Sequence, residues 1–539
     1  MTTQKLAAYA RTLTVAAVLG VLGVPGPAQA AAPAPTPPPS DTHPNVSDQP
    51  RDRTVYRGFS PRYSRLGPIS RGVFLVDATA SAHSTGGGEP GIAVNPRDPR
   101  KIAITRFGAS TWNNNASLLY SANGGRTWTN RNSIPPPPGV PGTAGCPCDQ
   151  TMDYGRDGRL YGTFLTDTGP QTHVVTGSTR NPTSAAAWRW NGNPAQITSG
   201  ARTNVDQPWL LVNRDPNRRR QDNAYIAYDD FGGSPDARVA VSYGANPVNI
   251  TADNKAGTES PLATNPGLRL ATDHRNGTVY ALYEQSTGTT QPKTVTYKLN
   301  RSTDGGATWR LNGDPNGITV DTVPSDQAPG YKFGGVNALL GGVDHAAVDP
   351  RNGDVYVVYG QDAGGNNQIK IRRLTRNGTG GLTVGPAHNV STSTNAALPS
   401  IAVLPNGAIG VLYDTFVGTT TDGSPIFSAH LARSRNHGAT FSDVVLQVFQ
   451  TPKDNGDPRQ RVLGDYQQLK AVGKIFHGVF AGNLSGVPAI NPPIHAIYFR
   501  ATAPHRRHHH RHWMMYGFSP EQRESRAWSW TRSSRYLSR

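Results

Sequence analysis

Cysteine, charge and long apolar runs are all scarce in this chain of 539 residues. Its two cysteines, Cys146 and Cys148 in the string GCPCDQ, cannot build a disulfide framework, so stability must come from a large apolar core. The pair either closes one small disulfide or belongs to a surface loop, and it has no further ligands nearby for a metal. Charged residues make up 17% of the chain, which with its many Gly and Pro disfavours a coiled coil or helical bundle. The apolar run from Thr12 to Val24 is about thirteen residues, short of the roughly twenty that span a bilayer, and no membrane span is expected. Gly (59) and Pro (45) are abundant, as in chains of many short strands joined by turns.

The ends of the chain account for much of its +17 charge. Lys5 and Arg11, the apolar run and the small-residue site Ala28-Gln29-Ala30 form a secretory signal peptide over residues 1–30, which predicts a secreted, extracellular protein. Residues 31–52 are a Pro-rich spacer of the disordered kind. Residues 505–539 form a basic His/Arg-rich tail, with eight Arg against two Glu and the run HRRHHHRH. Without the tail and the two leading cations about +9 remains, and no nucleic-acid motif accompanies it. Nucleic acid is therefore not expected as a partner.

Between the ends, seven segments repeat one pattern: a polar start, an apolar strand, a turn with Gly, Asn or Pro, and a second apolar strand rich in Tyr and Phe. They span 89–107, 149–167, 206–231, 265–284, 344–362, 398–416 and 465–483. Continuous apolar runs such as DVYVVY and AIGVLY suit strands covered on both faces. A four-stranded antiparallel propeller blade has inner strands of this kind. The fold expected over 53–504 is thus an all-β β-propeller, seven blades favoured and six the alternative. The early strand in GVFLVDATA (72–80) is positioned to complete a last blade that ends one strand short at IHAIYFRAT (494–502).

A second motif occurs three times, at 121–128 (SANGGRTW), 302–309 (STDGGATW) and 434–441 (SRNHGATF). Asp or Asn bonds its own turn, Gly supplies positive φ, and the aromatic residue plugs between sheets. These strings resemble the BNR or Asp-box repeat, Ser-x-Asp-x-Gly-x-Thr-Trp, of the sialidase superfamily, and the resemblance covers about residues 85–502. It implies a β-propeller whose boxes are structural, and Asn123, Asp304 and Asn436 are therefore not catalytic candidates. For a true sialidase it further implies three arginines on the substrate carboxylate, an Asp acid/base and a Tyr nucleophile activated by a Glu. The family's Arg-Ile-Pro string is absent, the nearest strings being VYRGFSP (55–61) and ITRFGAS (104–110).

Antiparallel connectivity sets the rims independently of any family. The start of each innermost strand and the end of its hairpin partner share an upper rim, and the boxes lie on the lower one. Hairpin openings supply Glu89, Asp149, Asp206, Asp344 and Asp465; hairpin closings supply Arg106, Asp167, Asp229, Asp230, Tyr283, Glu284, Asp362, Tyr413 and Asp414. A mouth with many carboxylates suits glycosyl transfer, one carboxyl protonating the leaving oxygen while a second group stabilises the oxocarbenium-like centre. The catalytic candidates are Asp149, Asp206, Asp230, Tyr283, Glu284 and Asp344. Arg106, Arg269, Arg461, Tyr413, Asp414 and Asp465 are candidates for substrate binding. Adjacent strand residues point to opposite faces, which sets the Tyr283 and Glu284 side chains apart. His345, beside Asp344, is the candidate base for a polysaccharide lyase.

The expected function is a secreted, sialidase-like exo-acting glycoside hydrolase on an acidic sugar or glycan. The alternatives are a non-catalytic glycan- or protein-binding propeller and a polysaccharide lyase. No cofactor or catalytic metal is expected, structural Ca2+ being the competing use of the same acids. The chain is expected to work as a monomer.

Overall fold

The computed structural model describes residues 72–503 except 108–110, 114–115, 146, 168–171, 192–203, 233–234, 245–249, 261–266, 328–330, 338–343, 365–366, 455–461 and 484–492. The expected signal peptide and spacer, the basic tail, Cys146 and Arg461 lie outside the described residues. Seven four-stranded antiparallel sheets form the blades of a β-propeller, and each of the seven sequence repeats supplies the two inner strands of one blade. The innermost strands, from blade 1 to blade 7, are Gly91–Val94, Cys148–Tyr154, Val205–Arg214, Leu268–Asp273, Asp344–Val348, Ala396–Val403 and Gln468–Val472.

The chain ends close the ring. Val73–Asp77 adds as the outermost strand of blade 7, antiparallel to His495–Thr502, with Val73 opposite Ala501 and Asp77 opposite Ile497. Asp77 fixes the exit of this strand, accepting from the Ala80 N–H at 2.7 Å with one oxygen and contacting His495 Nδ1 at 2.7 Å with the other. The junction covers an edge that would otherwise present unpaired backbone groups.

Between blades, second-strand aromatics occupy one repeating level. Phe164, Tyr228, Tyr283, Tyr359, Tyr413 and Phe480 are all buried, and each such burial stabilises the fold by about 1.5–3 kcal/mol. The tyrosine hydroxyls are satisfied locally: Tyr228 donates to Asp253 at 2.7 Å, Tyr283 to the Asn316 carbonyl at 2.6 Å, and Tyr359 to Asp321 at 2.5 Å. Tyr413 stacks on His430 with ring centroids 4.9 Å apart. The three Ser-x-Asp/Asn loops join the third and fourth strands of blades 1, 4 and 6 with one shared geometry. In blade 4, Ser302 donates to Asp304 at 2.8 Å, and Asp304 accepts from the Thr308 N–H at 3.0 Å and its hydroxyl at 2.6 Å. Gly305 and Gly306 both take positive φ there.

Candidate functional site on the propeller axis

One residue of each innermost strand stands at the same register level around the axis. The pairings to the second strands place Gly91, Thr151, Trp209, Arg269, His345, Ser400 and Gln468 in this ring. Its polar members hold neighbouring blades together. Thr151 Oγ1 accepts from the Leu210 N–H at 2.9 Å, His345 Nδ1 from Ile401 at 3.1 Å, Ser400 Oγ from Leu469 at 2.9 Å, and Gln468 Oε1 from Ile92 at 2.8 Å. Accepting an N–H fixes Nδ1 of His345 as unprotonated, and burial pushes its pKa down to about 3, helped by the Arg269 and Lys470 charges. His345 is thus a neutral interblade acceptor, and the lyase base expected from sequence is already bonded to a backbone amide.

Just above this ring the innermost strands are strained. Glu89, Asp149, Gln207 and Leu398 sit at φ of 48, 46, 51 and 56°, the left-handed region that costs a non-Gly residue of order 1 kcal/mol or more. Three of these positions coincide with register shifts in the inner hairpin, Cys148/Thr151, Asp206/Trp209 and Ala397/Ser400. A bulge at the mouth re-aims the side chains that follow it.

The acids form contacting pairs at this level. Asp149 meets Asp206 between blades 2 and 3, Asp229 meets Glu259 within blade 3, and Glu284 meets Asp344 between blades 4 and 5. Burial is the main reason that the pKa values of Asp206, Asp229, Glu259, Glu284 and Asp344 rise, and in Asp206 and Glu259 the neighbouring carboxylate adds to it. Burial carries Asp229 up to about 7 and Asp344 up to about 8, partly opposed in both by the Arg269 charge. The Asp229–Glu259 and Glu284–Asp344 pairs therefore hold a proton into the neutral range, as two carboxyls in contact cannot both ionise cheaply. Gln327 Nε2 donates to Glu284 at 2.9 Å and steadies one pair. Asp414 is also raised by burial, an effect that the neighbouring Gln467 partly offsets.

Arg269 lies among these pairs, 1% exposed, its guanidinium 4.6 Å from the Trp209 ring centre and 5.8 Å from that of Tyr466. It donates to Gln207 at 3.3 Å and to the Leu268 carbonyl at 3.1 Å. Gln207 in turn reaches across the axis to Asp465 at 3.2 Å, and the Asp465 N–H donates to Glu89 at 3.1 Å. The axis is crossed here by side chains from blades 3, 4 and 7.

The expected residues divide accordingly. Asp149, Asp206, Glu284, Asp344, Asp465 and Arg269 gather around the axis, with Asp414 at the same level in blade 6. Asp230 ends its strand and accepts from the Gly232 N–H at 3.1 Å, a turn contact. Tyr283 and Tyr413 belong to the packing level between blades, and the Tyr283 hydroxyl is committed to Asn316 rather than to Glu284. Arg106 is held by Ser84 at 2.7 Å and Ser117 at 3.2 Å, while Arg461 lies outside the described residues. Sequence reasoning missed Glu259, Gln207 and Trp209. Glu259 follows the outermost strand of its blade, and the other two lie inside the apolar hairpin; an acid after strand four was the one available signal. Cys148 is disulfide-bonded. Among the described residues no cluster of three or more His, Cys, Asp or Glu is arranged to hold a metal ion.

Below the ring, the axis widens into a cavity of about 420 Å³ that is lined by all seven innermost strands. Its lining runs from Trp209, His345 and Gln468 at the level of the ring to Pro96, Pro350 and Pro405 in the turns of the lower rim. Asp153 and Lys470 form an ion pair of 3.3 Å within it, joining blades 2 and 7.

No protein-family model matches the chain, and no curated protein matches it. Among solved structures, an ulvan lyase from a new polysaccharide lyase family is similar at 10% identity, covering 78% of this chain and 96% of its own, with a TM-score of 0.40. A Hadza microbial sialidase is similar at 12% identity, with 79% of this chain and 68% of that chain covered and a TM-score of 0.35. An alpha-L-arabinofuranosidase from Fusarium graminearum is similar at 11% identity, with coverage of 77% and 93% and a TM-score of 0.35. Such distant likeness assigns no residue a role.

Proposed function

We propose that the protein is an exported glycan-active propeller, a glycoside hydrolase whose proton donor is drawn from the paired carboxyls at the upper end of the axis. The observation that carries this reading is the set of three contacting carboxyl pairs around Arg269, in which burial carries Asp229 up to about 7 and Asp344 up to about 8. Buried carboxyls cost stability unless paired, so concentrating them at one level of a propeller is structurally expensive. A carboxyl that stays protonated near pH 7 is what protonation of a glycosidic oxygen requires. Asp344 is assigned as the acid. Two carboxyls in direct contact are too close to flank a glycosidic bond, which needs about 5 Å or more. The second carboxyl therefore comes from another pair, with Asp206 the candidate. The Asp-box resemblance of the three lower loops supports the class of fold and leaves these loops outside the chemistry. An acidic sugar as substrate is the finer form of the proposal, with Arg269 as the cation for its carboxylate.

A second reading, a glycan-binding propeller without catalysis, is favoured by one observation. Arg269 is enclosed by Trp209, Tyr466 and Gln207, and its guanidinium is already engaged. The two are separated by incubating the full chain with a panel of fluorogenic glycosides, sialosides and uronides included, and by probing a glycan array. Release of the fluorophore supports hydrolysis. Array binding with no release from any glycoside would replace it with the binding reading.

A further inference from the structure

The inner turn of blade 3 at the lower rim, residues 214–222, holds four Arg against two Asp. Its conformation is fixed from within and from blade 2. Asp215 accepts from the Asn217 and Arg218 N–H groups at 2.8 and 2.7 Å and from Asn223 Nδ2 at 2.9 Å. Arg156 of blade 2 donates to the Arg219 and Gln221 carbonyls at 3.1 and 3.0 Å and pairs with Asp222 at 2.5 Å. Both acids are thus spent on holding the turn. Arg218, Arg219 and Arg220 are exposed, Arg218 reaching Gln221 at 3.5 Å, and among the described residues none of the three is in an ion pair.

Two further features adjoin this turn. Tyr243, just after the third strand of blade 3, is 36% exposed and is the one exposed large hydrophobic side chain among the described residues. A methyl group added at Gly305 in the blade 4 loop would meet Tyr243 at 3.2 Å and Pro216 at 3.7 Å, so ring, turn and loop are neighbours. Thr303 and Thr308 of the same loop line a groove of about 600 Å³ with Arg301, Arg310 and the 377–381 turn of blade 5, and no Asp or Glu lines it. Arg301 donates to the Gly380 carbonyl at 2.7 Å, and Asn312 exchanges two hydrogen bonds of 2.8 Å with Leu382, which brace the groove. With Arg156 included, seven Arg on this surface meet four Asp, an excess of three. The remaining acids face their own loops, Asp304 bonded to Ser302 and Thr308 and Asp314 to the Asn316 N–H at 2.7 Å.

We propose that this lower-rim surface of blades 3 and 4 docks an anionic polysaccharide, its charged groups on Arg218, Arg219 and Arg220, one sugar face on Tyr243 and a further unit beside Arg310. Guanidinium groups without carboxylate partners match the carboxylate or sulfate groups of such a chain. A nucleic-acid strand is held by successive stacking platforms, and a membrane surface by an apolar face that inserts. One exposed ring among hydroxyl and amide groups suits a sugar chain instead. Docking here leaves the carboxyl pairs at the other end of the axis accessible and does not rest on their chemistry.

Fluorescence anisotropy of a labelled heparin octasaccharide, titrated with the full chain over a range of salt concentrations, tests the assignment. Saturable binding is expected, with log affinity falling linearly against log salt. Replacing Arg218, Arg219 and Arg220 together by Ser should weaken binding at least about tenfold and reduce that slope by about two. Tyr243→Ser and Arg310→Ser are each expected to weaken it about threefold. A charge-matched variant with Lys101, Arg126 and Arg131 of blade 1 replaced by Ser, all exposed, should change affinity by less than about twofold. That variant separates this surface from net charge and from the basic tail, and thermal unfolding shows each variant folded. No saturable binding, an equal loss in the blade 1 variant, or unchanged affinity in Tyr243→Ser or Arg310→Ser overturns the proposal. Tighter binding of a single-stranded DNA of equal charge, lost with the three arginines, would also overturn it, in favour of nucleic acid.

Discussion

The Glu284–Asp344 contact shows how a buried carboxyl pair links proton binding to stability. Raised carboxyl pKa values mean that the folded chain binds more protons than the unfolded one. Their stabilising contribution is fully present below about pH 4 and is lost as pH rises through the folded values, about 7 for Asp229 and about 8 for Asp344. Burial acts on His345 and His477 in the opposite sense, lowering them to about 3 and about 4, so they favour the folded state increasingly up to the unfolded histidine value of about 6.5. Between about pH 6.5 and 8 the carboxyls act with little opposition, before Lys293, lowered by burial to about 8, contributes. The urea midpoint is accordingly expected to fall across that window. Asp344→Asn, which cannot ionise, should flatten the slope. A midpoint that rises or stays level from pH 6.5 to 8 would count against shared protons in the pairs. None of these contacts was legible in the sequence. Glu284 and Asp344 stand 60 positions apart, and Glu259 follows a fourth strand whose register varies between blades. What sequence did convey was direction: alternation separates Tyr283 from Glu284, and their bonds to Asn316 and Gln327 follow that rule.

At the scale of an element, the lower loops show which parts of the motif matter. Asp304 binds Ser302 and both polar groups of Thr308, and Asn123 and Asn436 make the corresponding contacts in blades 1 and 6, with Thr127 and Thr440. The loop therefore needs an acceptor two residues after the serine, with or without charge. Asp304→Asn is expected to change unfolding free energy by less than about 0.5 kcal/mol, whereas Asp304→Ala should cost about 1–3 kcal/mol through unsatisfied turn groups. Chemical denaturation of the two variants checks this, and equal losses would show that the charge itself is required. These loops were legible because they are local, a repeated string of eight residues with its own hydrogen bonds. The bulged strand starts were not. Nothing in EPGI, DQTM, DQPW or LPSI marks which residue takes positive φ, since the twist of the ring decides it.

For the whole molecule, the joint between chain ends closes the ring. Seven hairpins and the early strand were readable from apolar periodicity, because strands covered on both faces leave runs that turns cannot imitate. Removing residues up to 88 deletes Val73–Asp77 and bares the His495–Thr502 edge. The shortened protein is expected to melt at lower temperature and to self-associate in size-exclusion chromatography, while removal up to residue 71 should do neither. A monomeric, equally stable protein after the longer deletion would mean that the joint is dispensable.

Asp344 is the proposed proton donor of a proposed glycan-cleaving propeller. The most direct measurement is kcat on the best glycoside from the panel for the unmodified protein, Asp344→Asn and the loop variant Asp304→Asn. A fall of about 10²–10⁴-fold in Asp344→Asn, with Asp304→Asn unchanged and both folded, is the predicted result. Turnover in the folded Asp344→Asn protein within a factor of two of the unmodified chain would contradict it.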